Sequence, residues 1–179
     1  MRRWIGTLLA ALLVVVPLLA QDKGADEKGN DRATQLKNIQ TDYRKAVPDA
    51  QKALRAAKTP EERDAVFAKL NKEFAPRIIK LVDAKPKDNL SFQALMFAIQ
   101  ALPKVDGKVY DLLTDNWATD PQIKGLCRQM VPMPDESAEK LLRKVSEENK
   151  DKESRALATF ALANMSKGKS EEQSNVKAA

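Results

Sequence analysis

The sequence predicts an all-α protein, either an irregular antiparallel helical bundle or a short HEAT-like array of helical hairpins. Three observations predict it. Apolar residues recur at spacings of three and four rather than two, valine and isoleucine are sparse, and capping residues and prolines cut the chain into pieces of helical length.

Residues 1–20 stand apart. Arg2 and Arg3 precede an apolar run from Trp4 to Val16, then Pro17, Leu18, Leu19 and Ala20, after which the chain turns polar at Gln21, Asp22 and Lys23. A basic start, an apolar middle and a small residue before a polar stretch form a secretory signal peptide, with cleavage expected between Ala20 and Gln21. The alternative is an uncleaved, N-terminal membrane anchor. Leu18 keeps it open, because a small residue is preferred three before the cut. The protein is therefore expected to be exported, periplasmic or secreted. Residues 21–32 contain Ala25 as their only apolar side chain and read as a disordered spacer.

The helical domain is expected over 33–165. Its first helix runs from about Ala33 to Ala57, with Leu36, Ile39, Tyr43, Val47 and Leu54 inward and Pro48 kinking or dividing it. Thr59, Pro60 and Glu62 then form the clearest helix start in the chain: a cap, a first-turn proline and the glutamate of a capping box. Val66, Phe67, Leu70 and Phe74 follow. Pro76 interrupts, and Lys85 and Pro86 end the element.

Shorter helices come next. Leu90–Leu102 presents Leu95, Met96, Ile99 and Leu102, with Phe92 one turn upstream, and Gly107–Trp117 presents Val109, Leu112, Leu113 and Trp117. Asp120 and Pro121 open a helix with Ile123, Leu126, Cys127 and Met130 inward, closed by Pro132 and Pro134. Asp135–Ser146 buries Ala138, Leu141, Leu142 and Val145. The last helix starts at Asp151 or Lys152, ends at Met165 and turns Leu157, Phe160, Ala161 and Met165 inward. Short joints imply that sequence neighbours pack as antiparallel hairpins. Gly168 is placed to stop that helix, leaving 166–179 as a disordered tail.

The composition narrows the chemistry. The chain has no histidine and one cysteine, Cys127, so the usual general base, His-dependent triads, most zinc sites and intramolecular disulfides are excluded. Cys127 lies in an apolar stripe and reads as a small core residue. Acidic pairs at Glu61, Glu62 and Asp64, at Asp115 and Asp120, and at Glu147, Glu148 and Asp151 all fall at helix starts or polar joints, where carboxylates act as caps. No glycine-rich phosphate loop or calcium loop occurs. Removing residues 1–20 takes Arg2 and Arg3 and leaves 29 Lys/Arg against 25 Asp/Glu, or +4. Basic residues are interleaved with acids along the chain, so no nucleic-acid partner is expected. No cofactor, metal or catalytic residue is assigned. Thr114 to Pro121 is the one stretch of mixed chemistry.

Further residues carry a family resemblance. They are Ala57 to Arg63 at a helix opening, Phe74 to Asp88, Asp115-Asn116-Trp117 before Gln122 to Cys127, and Arg155 to Ala163. From about Tyr43 to Met165 the chain resembles the helical N-terminal region of secreted bacterial thioredoxin-like (redoxin) proteins. The resemblance implies a helical module without the strand-rich redox domain and its Cys-x-x-Cys, and it transfers no catalytic residue.

The expected function is that of an exported, non-catalytic helical protein, a protein-interaction or scaffold module. Its partner would be another exported protein, which the resemblance makes a thioredoxin-like one, and it would touch a membrane only through an uncleaved signal segment. The alternative is a small-ligand carrier with an apolar cavity between helices. In either case the expected surface is built around Phe92, Met96, Trp117 and Met130.

Overall fold

A computed structural model describes residues 27–130 and 136–177. The signal segment, the Ala20–Gln21 cut, residues 21–26 of the 21–32 spacer, and Pro132, Pro134 and Asp135 lie outside the described residues. The described residues form seven α-helices and no strand. In order they are α1 (Glu27–Ala56), α2 (Pro60–Asp83), α3 (Asn89–Ala101), α4 (Gly107–Asn116), α5 (Lys124–Gln129, entered through a 3₁₀ turn at Pro121–Ile123), α6 (Glu136–Glu148) and α7 (Lys152–Lys177).

Local chemistry sets the starts. Thr59 Oγ1 accepts from the Glu62 amide at 3.2 Å, and Glu62 Oε2 accepts from the Thr59 amide at 3.3 Å, which completes the capping box. Asp88, Asp106, Asp120 and Asp151 each accept a backbone amide two or three residues on, at 2.8 Å. Each satisfies an amide that the first turn leaves without a helical partner.

Neither proline breaks its helix. Pro48 neither divides α1 nor does Pro76 interrupt α2; both lie inside continuous helices. Both are exposed, as are Arg44 and Lys72 four residues earlier, so the carbonyls that lose their amide partner are on the water side. The helix limits also differ. α1 starts at Glu27, within the expected spacer, and α7 continues to Lys177, through the expected tail. Gly168 does not stop α7: it has open space around it and costs only about 1 kcal/mol in a helix. Lys, Glu and Gln around it are good helix formers.

The core is one continuous cluster with two packing regions. In the first, α1 and α2 pack together and α3 packs on both. Tyr43 sits where they meet, edge-on to Phe74 (ring centroids 5.3 Å apart) and to Phe97 (5.6 Å), and its hydroxyl donates to the Ala101 carbonyl. Phe74, Ile78, Val82 and Leu95 are completely buried beside it. Each such side chain contributes about 1.5–3 kcal/mol. In the second, α4 packs on α6, α5 on α7, and α6 on α7. Hairpin pairing between sequence neighbours therefore describes α1 to α4 and α6 with α7. It fails for α5, which is six residues long and finds its main apolar partner in α7 instead. The successive helices α4 and α5, which do not pair with each other, thus lie on α6 and α7 respectively, first on first and second on second, as layers do in a helical array.

A buried cation fastens α1. Arg32 is 8 % exposed; its guanidinium donates to Asp88, to the Leu81 carbonyl at 2.8 Å and to Ser91 Oγ at 2.8 Å. Asp88 is at once the α3 cap and the counter-ion. Burial pushes the Asp88 carboxyl up, but the hydrogen bonds from Arg32 and Ser91 and the Arg32 charge outweigh it, and the group lies below its ordinary 3.8. Replacing Arg32 by Ala should cost about 2 kcal/mol in urea unfolding, because Leu81 O loses its partner and Asp88 its counter-ion. The acid sign follows. Stability from Asp88 is complete above its unfolded value near 3.8 and is lost as pH falls through the lower folded value. The unfolding free energy of the Arg32→Ala protein should fall less steeply with acid across that window than the parent's.

Candidate functional site

Of the four residues expected to form a surface, two are closed off. Trp117, at the C-terminal end of α4, is 4 % exposed, and Met130, just after α5, is completely buried. The Trp117 indole Nε1 donates to the Pro86 carbonyl at 3.1 Å, and its ring lies against Phe92 with centroids 4.7 Å apart and planes tilted by 41°. Phe92 and Met96 on α3 are half-buried and retain solvent-facing surface. Trp117 and Phe92 therefore tie the α2–α3 corner to the end of α4. A small-ligand carrier would have only Phe92 and Met96 to offer from the outside.

The mixed-chemistry stretch around Trp117 spends its polar groups on the backbone. Thr114 Oγ1 donates to the Tyr110 carbonyl at 2.7 Å, Asn116 Nδ2 to the Leu112 carbonyl at 2.9 Å, and Asp120 caps the 3₁₀ turn. Nearby is a buried hub that sequence reading missed. Asn149, 1 % exposed, donates through Nδ2 to the carbonyls of Ala118 (2.8 Å) and Asp120 (3.0 Å) and accepts the Asp151 amide through Oδ1 at 2.9 Å. Arg155 closes the corner by donating to the Asn149 carbonyl at 2.9 Å. An asparagine in a polar joint looks like solvent in one dimension; its burial depends on the return of the 118–120 segment.

Glu61, Glu62, Asp120 and Asp151 take the expected places at helix starts, whereas Asp64 lies inside α2, Asp115 in the last turn of α4, and Glu147 and Glu148 in the last turn of α6. Hydrogen bonds at the helix start, first its own amide and then Thr59, hold the Glu61 carboxyl below its usual range, and those from the Ser154 hydroxyl and amide do the same for Asp151. Among the described residues, no group of three or more His, Cys, Asp or Glu side chains converges to hold a metal ion. Burial pushes the Cys127 thiol up to about 11, far from a thiolate nucleophile. An open hollow on α6 is lined by Glu136, Glu139, Lys140 and Arg143. Its cations are already paired, Arg143 with Glu139 at 2.6 Å and Lys140 with Asp111 at 3.4 Å.

The exposed apolar surface is elsewhere. Phe160 on α7 is 59 % exposed, although the periodicity placed it inward. The inward face is instead Ser154, Ala158, Ala161 and Met165. Small side chains let α7 approach α5 and α6 closely, and that closeness turns the bulky ring outward. Ala156, Thr159 and Ala163 are exposed with it. At 100° per residue the four share an arc of about 100°, opposite the buried face. Residues 156–165 contain no charge, in a chain that is 31 % charged.

No family model, curated protein or solved structure matches the chain.

Two outcomes are expected. Asn149→Ala should lower the unfolding free energy by about 2–3 kcal/mol, as two buried carbonyls lose their donor. Cys127 in the folded protein should resist a thiol-alkylating reagent at mildly alkaline pH and react fully in urea, scored by intact mass.

Proposed function

We propose that the chain is an exported, non-catalytic helical module that binds another exported protein through the outer face of α7. The exposure of Phe160 carries this reading. It is the large hydrophobic side chain that stands exposed among the described residues, and it sits at the centre of an uncharged, small-residue stripe. A large ring flanked by Ala156 and Ala163 gives a partner an anchor and two shallow seats. In a stack of helix pairs the outer face of one pair receives the next, so this is the face on which a partner helix or strand would continue the packing.

The resemblance to the helical region of secreted thioredoxin-like proteins suggests which partner to look for first: a separate chain with a thioredoxin fold. The apolar segment at 4–16 supports export, and no helix among the described residues is long and apolar enough to cross a membrane.

The test is photo-crosslinking from position 160 of the full chain in its native cells, with mass spectrometry of the adduct and of the protein's own amino terminus. A single exported partner captured from position 160 and not from exposed position 104 is the expected result, with a terminus at Gln21. Phe160→Glu should abolish the adduct in a crosslink from neighbouring Ala163 while changing stability by no more than about 0.5 kcal/mol. Monomer alone, or the same proteins captured from both positions, would refute the reading.

A further inference from the structure

The outer face of α1 is a second surface with a chemistry of its own. Lys37, Arg44, Lys45, Lys52 and Arg55 are all exposed, and none forms a salt bridge among the described residues. Their spacing places them within an arc of about 100° along some 27 Å of helix. The opposite side carries Arg32, Leu36, Ile39 and Tyr43 into the core. The acids that interrupt these cations in sequence do not interrupt them in space. Asp42 reaches Arg77 of α2 at 2.7 Å, and Asp31 and Asp49, eleven before and seven after it, fall on the same flank. Helix α1 holds seven Lys/Arg against four Asp/Glu, a balance of +3 in a chain whose formal charge after residue 20 is +4. Most of the net charge of this protein therefore lies on one helix.

We infer that this face lies on an anionic phospholipid surface. Two further observations select a membrane over other polyanions. The apolar run 4–16 behind Arg2 and Arg3 takes the chain to a bilayer before any cut at Gln21, and α1 is the first helix after it among the described residues. The stripe also lacks exposed aromatic rings: the tyrosine of α1, Tyr43, is packed in the core, so no platform exists for stacking bases. Cations of this kind, spread along a helix with long flexible stems, bind a surface of mobile charges without requiring a fixed ligand geometry. Thr41 and Pro48 complete the stripe and add no negative charge.

The experiment is co-sedimentation of the full chain with vesicles of phosphatidylcholine alone and with about a third phosphatidylglycerol, at about 0.1 M and about 1 M salt. The apolar run supplies binding that ignores lipid charge, so the readout is the increment on anionic vesicles. At the lower salt the partition coefficient should rise by at least about tenfold on anionic vesicles, and the rise should vanish at the higher salt. A variant with Lys37, Arg44, Lys45, Lys52 and Arg55 all changed to Gln should lose the increment. One with Lys69, Lys72, Lys80, Lys85 and Lys87 changed to Gln removes the same charge from elsewhere and should keep it. Circular dichroism of both variants reports folding; should the first not fold, the composition and salt comparison on the parent decides alone. Equal binding to both vesicle types, equal loss in the two variants, or binding to a DNA duplex at lower concentration than to the vesicles would overturn the inference.

Discussion

Arg32 closes the corner at which α1, the end of α2 and the start of α3 meet, and the attachment of α1 depends on it. Of that helix from residue 31 onward, Arg32, Leu36, Ile39 and Tyr43 are the buried residues; beyond Tyr43 its inner residues are half-covered at best. A helix with so little apolar area needs polar anchors that fit one geometry. The guanidinium satisfies a helix-end carbonyl, a buried hydroxyl and the carboxylate that caps α3, so one side chain couples two helix termini to a third helix. The Tyr43 hydroxyl repeats the device one end further on, at the last carbonyl of α3. A buried charge adds little to stability by itself, because its desolvation offsets the attraction it gains. Its contribution here is register: α1 slid by one turn would strand a buried charge.

The second half of the molecule solves the same problem without charge. The joint between α6 and α7 must return the chain within a few residues, and it exposes backbone groups of the 118–120 segment to the interior. Asn149 satisfies two of those carbonyls and one amide of its own joint, so a neutral amide does at this corner what Arg32 does at the other. Ala158 and Ala161 on the inner face of α7 pack into a core otherwise filled by large side chains, Tyr110, Leu126, Met130, Leu141 and Leu142 among them, and Phe160 stays outside it.

Which features were legible in the sequence follows from the range over which each is decided. The starts at Thr59 and Asp120 rest on hydrogen bonds spanning two or three residues, and they were readable. The end of α7 was not, because Gly168 weakens a helix without breaking it. The inner face of α7 was ambiguous for a related reason. Leu157, Phe160, Ala161 and Met165 satisfy helical spacing as well as Ser154, Ala158, Ala161 and Met165 do, and only the distance to the neighbouring helices chooses between them. Trp117 and Met130 were placed correctly as inward residues of their helices, and that same burial removes them from the surface assigned to them. The basic face of α1 was hidden because linear interleaving of Lys and Asp looks neutral, whereas a pitch of 3.6 residues sorts the two onto different sides.

The two surfaces left over by this packing differ in what they ask of a partner. A basic stripe attracts over the Debye length and tolerates sliding, so it localises a molecule without orienting it closely. An exposed ring between small residues acts only in contact and demands a shaped counterpart. The principal packing runs from α1 through α2, α3 and α4 to α6 and α7, so the two faces lie at its two ends. A helix held to an anionic surface by its outer face would leave α7 free to meet a partner away from that surface. The polar anchors at Arg32 and Asn149 then matter to function through rigidity: they fix the helix that carries the charges, and the corner that carries the ring, to one continuous core.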